Sequence, residues 1–267
     1  MADYANLRLR RDGPVAHLTL HRPERRNALT HQMMLELEDV FTRLRSETDC
    51  RVVVLRGAGG NFCAGGDLAA MAEVPPLPRD GSDDPLLPAY RQFGNALLAL
   101  NGLPQATIAV VEGAAVGGGL GMACCSDIVL LHADAALGMP EPKVGFIPSQ
   151  IIPFVVRRIG EGAARDLAVS GRVIRGHEAH RLGVGRPAFA DTEALERALA
   201  ETIADVLKME PRALAAAKHL VMTCAERDDE AVLDAAAASL VGLLRSDEAA
   251  HGIQSFMSKS LPRWARS

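Results

Sequence analysis

Aromatic residues are scarce in this chain: Phe, Trp and Tyr make up 4% of 267 residues, with a single Trp. Net charge is small as well, 29 Lys and Arg against 33 Asp and Glu, a formal −4. A typical nucleic-acid binder needs a cationic face and stacking platforms, and neither is present in quantity. No apolar run reaches the roughly 18 residues of a membrane span. The start, MADYANLRLRRDGP, lacks the apolar stretch of a signal peptide. Five cysteines without a C-x-x-C pair suit a reducing cytoplasm better than a disulfide framework. What is abundant is aliphatic mass: the chain is 48% hydrophobic, enough for a large core. The expectation is a soluble cytoplasmic protein with neither nucleic-acid nor membrane partners.

The first two thirds alternate β-rich runs with helical patterns. Val15 to Leu20, Arg51 to Arg56, Thr107 to Val111 and Ile128 to Leu131 read as strands. The last three are almost continuous in Val, Ile and Leu, as strands buried on both faces are. Between the first two lies a helix with Thr30 as N-cap and an apolar stripe of Met34, Leu37, Val40, Phe41 and Leu44. Strands separated by helices predict a largely parallel sheet. From about Asp191 the pattern turns wholly helical, over 195–208, 212–224, 230–245 and 247–258. We therefore expect an α/β core over 1–195 and a helical region over 196–267 that packs on the core or on another subunit. Residues 73–88, EVPPLPRDGSDDPLLP, hold five prolines and read as an irregular excursion, a lid or an insert. No repeat of fixed period is visible.

Three segments carry chemistry. In EGAAVGGGLGMACCSD (112–127) a buried strand leads through three glycines into a helix. Free N–H groups and the positive dipole end there suit phosphate, or an oxygen that gains negative charge during reaction. The bland reading is a tight turn with close helix–sheet packing. A second glycine turn, GAGGNFCAGGDL (57–68), also follows a buried strand, and the two could aim backbone donors at one point. Asp67 there is a candidate base, but it better fits an N-cap of a helix over Leu68 to Met71. In the third segment, 136–159, Glu141 stands between Pro140 and Pro142 among small and apolar residues. Desolvation raises the pKa of such a carboxyl and suits it to acid–base work, against the alternative of an ordinary surface Glu. Ser149 and Gln150 are polar pocket candidates or caps; Met139, Phe146 and Ile151 are expected to shape the pocket.

Other motifs fail. Met122 breaks a G-x-G-x-x-G phasing, and neither a phosphate-binding G-x-x-x-x-G-K-[ST] nor a nucleophile elbow G-x-S-x-G occurs. His177 to His180 is H-E-x-H, one residue short of a two-histidine metal motif, so no metal is expected. Cys124 and Cys125 read as small core residues. Arg22 to Asn27 reads as a solvated loop with room for phosphate.

Taken together, HRPERRNAL (21–29), NFCAGGDL (61–68), VEGAAVGGGLGMACCSD (111–127), MPEPKVGFIP (139–148) and HGIQSFMSK (251–259) resemble the enoyl-CoA hydratase/isomerase (crotonase) family over essentially the whole chain. That resemblance implies an α/β spiral of β-β-α turns with a C-terminal helical trimerisation region, as a homotrimer or a hexamer of two trimers. By motif position it puts oxyanion-hole amides on Gly66 and Gly118, holding the thioester carbonyl of an acyl-CoA, and the catalytic carboxyl on Glu141. CoA contacts fall on Arg25, Arg26, Ala28, Ala64, Gly65, Asp67 and Leu68, with Phe256 and Lys259 from the C-terminal helix. CoA is part of the substrate, and no other cofactor is implied. One position departs: where many hydratases carry a second glutamate, as G-G-G-x-E, this chain has Gly121. The expected activity is hydration of a 2-enoyl-CoA, branched or glutaconyl-type included. The alternative is 3,2-enoyl-CoA isomerisation, and a third reading is an acyl-CoA-binding protein without turnover.

Overall fold

A two-residue turn at Gly13 and Pro14, with Gly13 at φ +52°, folds the start of the chain into a hairpin. The computed structural model describes residues 4–72, 83–84, 86–224 and 228–265. The elements are β1 (Leu7–Asp12), β2 (Val15–Leu20), α1 (His31–Ser46), β3 (Val52–Gly57), α2 (Leu68–Met71), α3 (Leu86–Asn101), β4 (Ala106–Val111), β5 (Ala114–Val116) and α4 (Gly118–Cys125). There follow β6 (Ile128–Leu131), β7 (Ala136–Gly138), α5 (Ile152–Ser170), β8 (Val173–Arg175) and α6 (Gly176–Arg181). Four helices close the chain: α7 (Thr192–Leu207), α8 (Pro211–Thr223), α9 (Asp229–Leu244) and α10 (Asp247–Met257).

The larger sheet has the order β1-β2-β3-β4-β6, and the smaller β5-β7-β8. Within them β2 runs parallel to β3, β4 to β6 and β5 to β7. The winding repeats: a long strand in the first sheet, a short strand or bridge in the second, then helix. β4, β5 and α4 make one such turn, and β6, β7 and α5 the next. The turn before them uses β3, a bridge from Cys63 to Ala115, and α2 with α3. This is the spiral of β-β-α turns that the resemblance implies. Its long strands begin at Val52, Ala106 and Ile128. The unequal spacing is why no period shows in the sequence.

The expected strands are present, and so is the Thr30 cap, whose hydroxyl accepts from Met33 N at 3.2 Å. One register reading is corrected. Met33, Leu37, Val40, Phe41 and Leu44 form the buried stripe of α1, and Met34 is half-buried beside it, packed against the core. Four strands, β1, β5, β7 and β8, were not legible; the last three span only three residues each, too few for a period of two to declare itself. The excursion expected over 73–88 falls mostly outside the described residues, and its last residues, from Leu86, already belong to α3.

The chain divides into two units, one of residues 1–103 and 107–199, the other of 104–106 and 200–267. The first holds both sheets and a core of the buried β-strand residues with Phe41, Phe62, Leu97 and Leu100. In the second, Lys218 Nζ donates to Gln105 O at 3.2 Å and Trp264 Nε1 to Lys208 O at 3.0 Å. Helices α8 and α9 bury no residue, and Val221, Leu233, Leu240, Phe256 and Met257 stand exposed. No helix among the described residues is long and apolar enough to cross a membrane.

Candidate active site

Two strand-to-helix junctions and one proline-framed turn enclose a cavity of about 370 Å³. Ala64, Gly65, Gly66, Leu68 and Met71 line it from the loop after β3, and Val116, Gly117 and Gly118 from the entry to α4. Glu141 with Pro140, Lys143 and Val144 forms a third wall, continued by Phe146, Ile147, Ser149, Gln150 and Ile151. Leu29, Met34, Tyr90 and Phe93 complete the lining. Most of this surface is apolar, so an apolar group leaves water behind as it enters.

The three segments meet closely at Gly117, which sits at φ +53°. A Cβ there would come within 2.4 Å of Glu141 Oε1 and 3.8 Å of Gly65 Cα. Only glycine adopts that backbone and leaves the carboxylate its place.

The directions of two amides follow from their own peptide units. Gly65 O accepts from Leu29 N at 2.7 Å, and Gly117 O accepts from Gly121 N at 3.0 Å, the first bond of α4. In a planar trans peptide the C=O and N–H point opposite ways. The Gly66 N–H therefore faces away from the Leu29 main chain, and the Gly118 N–H away from the body of α4. Neither amide donates to a protein acceptor among the described residues. Two unspent donors thus belong to residues that line one cavity.

Glu141 opens a single 3-10 turn, Glu141–Val144. Its Oε2 is buried and has no hydrogen-bond partner among the described residues. Burial pushes this carboxyl above the usual carboxylate range. Asp67 goes the other way. Burial raises it, but the Arg22 guanidinium and the Ala70 and Ala69 amides outweigh that and leave it lowered. Its side chain caps α2 and pairs with Arg22 at 3.0 Å, so it is a structural carboxylate.

Of the residues singled out in the sequence, Gly66, Gly118, Glu141, Ala64, Gly65 and Leu68 line the cavity, as do Ser149, Gln150, Phe146 and Ile151. Ala28 and Met139 are buried outside its lining, and Arg25 and Arg26 are exposed beyond it. Phe256 and Lys259 lie in the second unit, both exposed. Cys124 is core, with burial pushing its thiol up to about 12. Among the described residues no group of three or more His, Cys, Asp and Glu is arranged to hold a metal ion. Sequence reasoning missed Leu29, Met34, Met71, Tyr90 and Phe93. They look like helix-core residues, and nothing local distinguishes a cavity wall from a core.

Gly121 has a steric explanation. A Cβ at this position would lie 2.3 Å from Ile151 Cγ2 and 2.9 Å from Ile151 Cβ. Ile151 is 3% exposed and fills the space into which a side chain from 121 would grow.

The enoyl-CoA hydratase/isomerase family profile matches residues 10–267. The chain belongs to that family. A crystal structure of an enoyl-CoA hydratase/isomerase from Marinobacter aquaeolei matches with a TM-score of 0.93 at 39% identity, covering 98% of this chain and 99% of that one. Enoyl-CoA hydratase EchA19 of Mycobacterium tuberculosis is 32% identical across 95% of this chain and 94% of its own. The peroxisomal Delta(3,5)-Delta(2,4)-dienoyl-CoA isomerase of Arabidopsis thaliana is 27% identical across 100% of this chain and 99% of its own. The family is enzymatic, and its hydratase/isomerase chemistry acts on acyl-CoA thioesters.

Two predictions follow from the packing. Folding with a raised Glu141 pKa favours the protonated acid, a contribution complete below the ordinary value of 4.5 and lost as pH rises through the folded value. Glu141→Gln stays neutral, so its melting temperature relative to the parent should climb from pH 4 to pH 8; a flat difference contradicts the burial argument. Gly121→Ala should cost about 1–3 kcal/mol in urea unfolding through overpacking on Ile151, with part regained in the Gly121→Ala/Ile151→Ala double variant.

Proposed function

We propose that this family member hydrates a 2-enoyl-CoA, acting as a carbon–oxygen lyase with one carboxylate and a backbone oxyanion hole. The reading rests on one observation: the Gly66 and Gly118 amides and Glu141 Oε2, all without a hydrogen-bond partner among the described residues, belong to residues that line a single cavity. The thioester oxygen accepts from both amides. The Glu141 carboxylate takes a proton from water as its oxygen bonds to C3. The π electrons move to the thioester oxygen as an enolate, and the proton on Glu141 then goes to C2. Each amide contributes on the order of 3 kcal/mol, because the enolate oxygen carries charge that the ground-state carbonyl lacks. The raised pKa of Glu141 serves both halves of this cycle, since one group must accept and then return a proton. No cofactor is needed beyond the CoA of the substrate.

CoA itself lies outside so small a cavity. The exposed Arg25 and Arg26 meet its phosphates, while Ala28, Ala64, Gly65, Asp67 and Leu68 flank the pantetheine arm. The apolar cavity takes an aliphatic acyl group, branched chains included. The second unit's exposed Leu233, Leu240 and Met257 cover one another in a homotrimer or a pair of trimers, and its exposed Phe256 and Lys259 reach a CoA. Five free cysteines accord with work in the cytoplasm.

A second reading is favoured by a specific observation. With Ile151 against Gly121, no carboxylate besides Glu141 lines the cavity among the described residues. One carboxylate suffices to carry a proton from C2 to C4, which is 3,2-isomerisation, without water.

Mass spectrometry separates the two: hydration adds about 18 Da to an enoyl-CoA and isomerisation adds none. Glu141→Gln should lower kcat by about 10²–10⁴-fold with either product. Unchanged turnover removes Glu141 from the reaction. Sedimentation of the purified protein should give a particle of three or six chains, and a monomer at micromolar concentration overturns the assembly.

A further inference from the structure

Arg22 lies two residues past the end of β2, has a side chain 17% exposed, and plays no part in the lining of the cavity. Its two terminal nitrogens bind different segments. Nη1 donates to Ala28 O at 2.5 Å, and Nη2 donates to Asp67 Oδ2 at 3.0 Å. Ala28 and Asp67 flank the bridge that pairs Leu29 with Gly66. A chain of hydrogen bonds follows from this. The guanidinium holds Ala28 C=O, and that peptide's own N–H, on Leu29, donates to Gly65 C=O at 2.7 Å. The N–H of the Gly65–Gly66 peptide is the Gly66 amide, at the cavity. On the far side Asp67 N donates to Leu29 O at 2.9 Å, closing the bridge.

The loop that presents Ala28 is itself locked. Arg26 and Asn27 take φ of +47° and +57°, conformations that L residues other than glycine adopt only under constraint. Fully buried Asn27 accepts from Arg22 N at 2.9 Å and donates to Ala58 O and Asn61 O at 2.9 and 2.6 Å. Ala64 N donates to Arg26 O at 3.0 Å. Loop 22–29 is thereby bolted to the Gly66 turn at several points.

We propose that Arg22 is a positioning residue for the oxyanion site: through two peptide units its charge orients and polarises the Gly66 N–H. Hydrogen bonds in series strengthen one another, and a cation at the head of the chain makes the terminal N–H a better donor. The planar fork also holds two segments in one fixed geometry, which a lysine's rotatable ammonium does less rigidly. This role builds on the proposed enolate chemistry and concerns only how the Gly66 donor is tuned.

The test uses the full-length parent with Arg22→Lys and Arg22→Gln, and a saturated acyl-CoA labelled with ¹³C at the thioester carbonyl. The infrared carbonyl band of the bound ligand reports polarisation without any turnover. In the parent it should lie below its frequency in water. Arg22→Gln, which keeps a donor but no charge, should move it back towards the water value, and Arg22→Lys should fall between. With an enoyl-CoA, kcat should drop about 10–100-fold in Arg22→Gln while KM stays within about twofold. An unshifted band with unchanged kcat in both variants overturns the role of Arg22 and leaves the hydratase reading intact. A parent that binds acyl-CoA with no carbonyl shift overturns both. A parent that polarises the carbonyl but turns over no enoyl-CoA overturns the reaction alone. Should Arg22→Gln fail to fold, Arg22→Met, which keeps the stem but neither charge nor donor, takes its place, and a band identical to the parent's there refutes the proposal.

Discussion

The peptide unit is rigid, and the site depends on that rigidity. When a C=O is committed to a hydrogen bond, the N–H of the same unit is aimed the opposite way. Gly65 and Gly117 commit their carbonyls, one to Leu29 in a β-bridge and the other to the first bond of α4. The amides of Gly66 and Gly118 are thereby aimed by their own peptide units and left unspent among the described residues. Such donors need no reorganisation as charge develops, which is where electrostatic preorganisation has its effect. Glycine is required around them because the backbones of three segments converge at Gly117 within van der Waals distance of a carboxylate.

Burial supplies the other half. The same apolar walls that exclude water from the thioester strip water from Glu141 and raise its pKa. A group poised in this way costs stability when ionised, a familiar tension between folding and reactivity. The contrast with Asp67 is instructive. Both are carboxylates in glycine- or proline-rich turns beside the cavity. Asp67 is given a guanidinium and two amides, and it is spent on structure. Glu141 Oε2 has no such partner among the described residues, and it remains available.

Gly121 illustrates how one position is decided by another far along the chain. Ile151 fills the volume next to it, thirty residues later, so a side chain at 121 is excluded by packing rather than by local conformation. Protein interiors tolerate such knobs only where a matching hole exists. The pairing makes the cavity wall aliphatic at that point and leaves Glu141 as its carboxylate.

Much of this was legible before any coordinates. The buried strands declared themselves by unbroken runs of Val, Ile and Leu, and the caps Thr30 and Asp67 by residue type and place. The glycine turns stood out because consecutive glycines are costly unless backbone must come close. Local periodicity put the helical stripe of α1 one residue out, choosing Met34 over Met33, since both satisfy a 3.6-residue repeat within a turn. The spiral repeat stayed hidden because turns of unequal length share geometry and not spacing. Composition and short-range pattern thus determined the elements, the caps and the places where backbone is exposed for use. Tertiary structure alone decided which carbonyls are occupied, which carboxylate goes unpartnered and which side chain fills the space at Gly121. Each of these depends on hydrogen bonds and contacts between segments far apart in the chain, and no local preference encodes them.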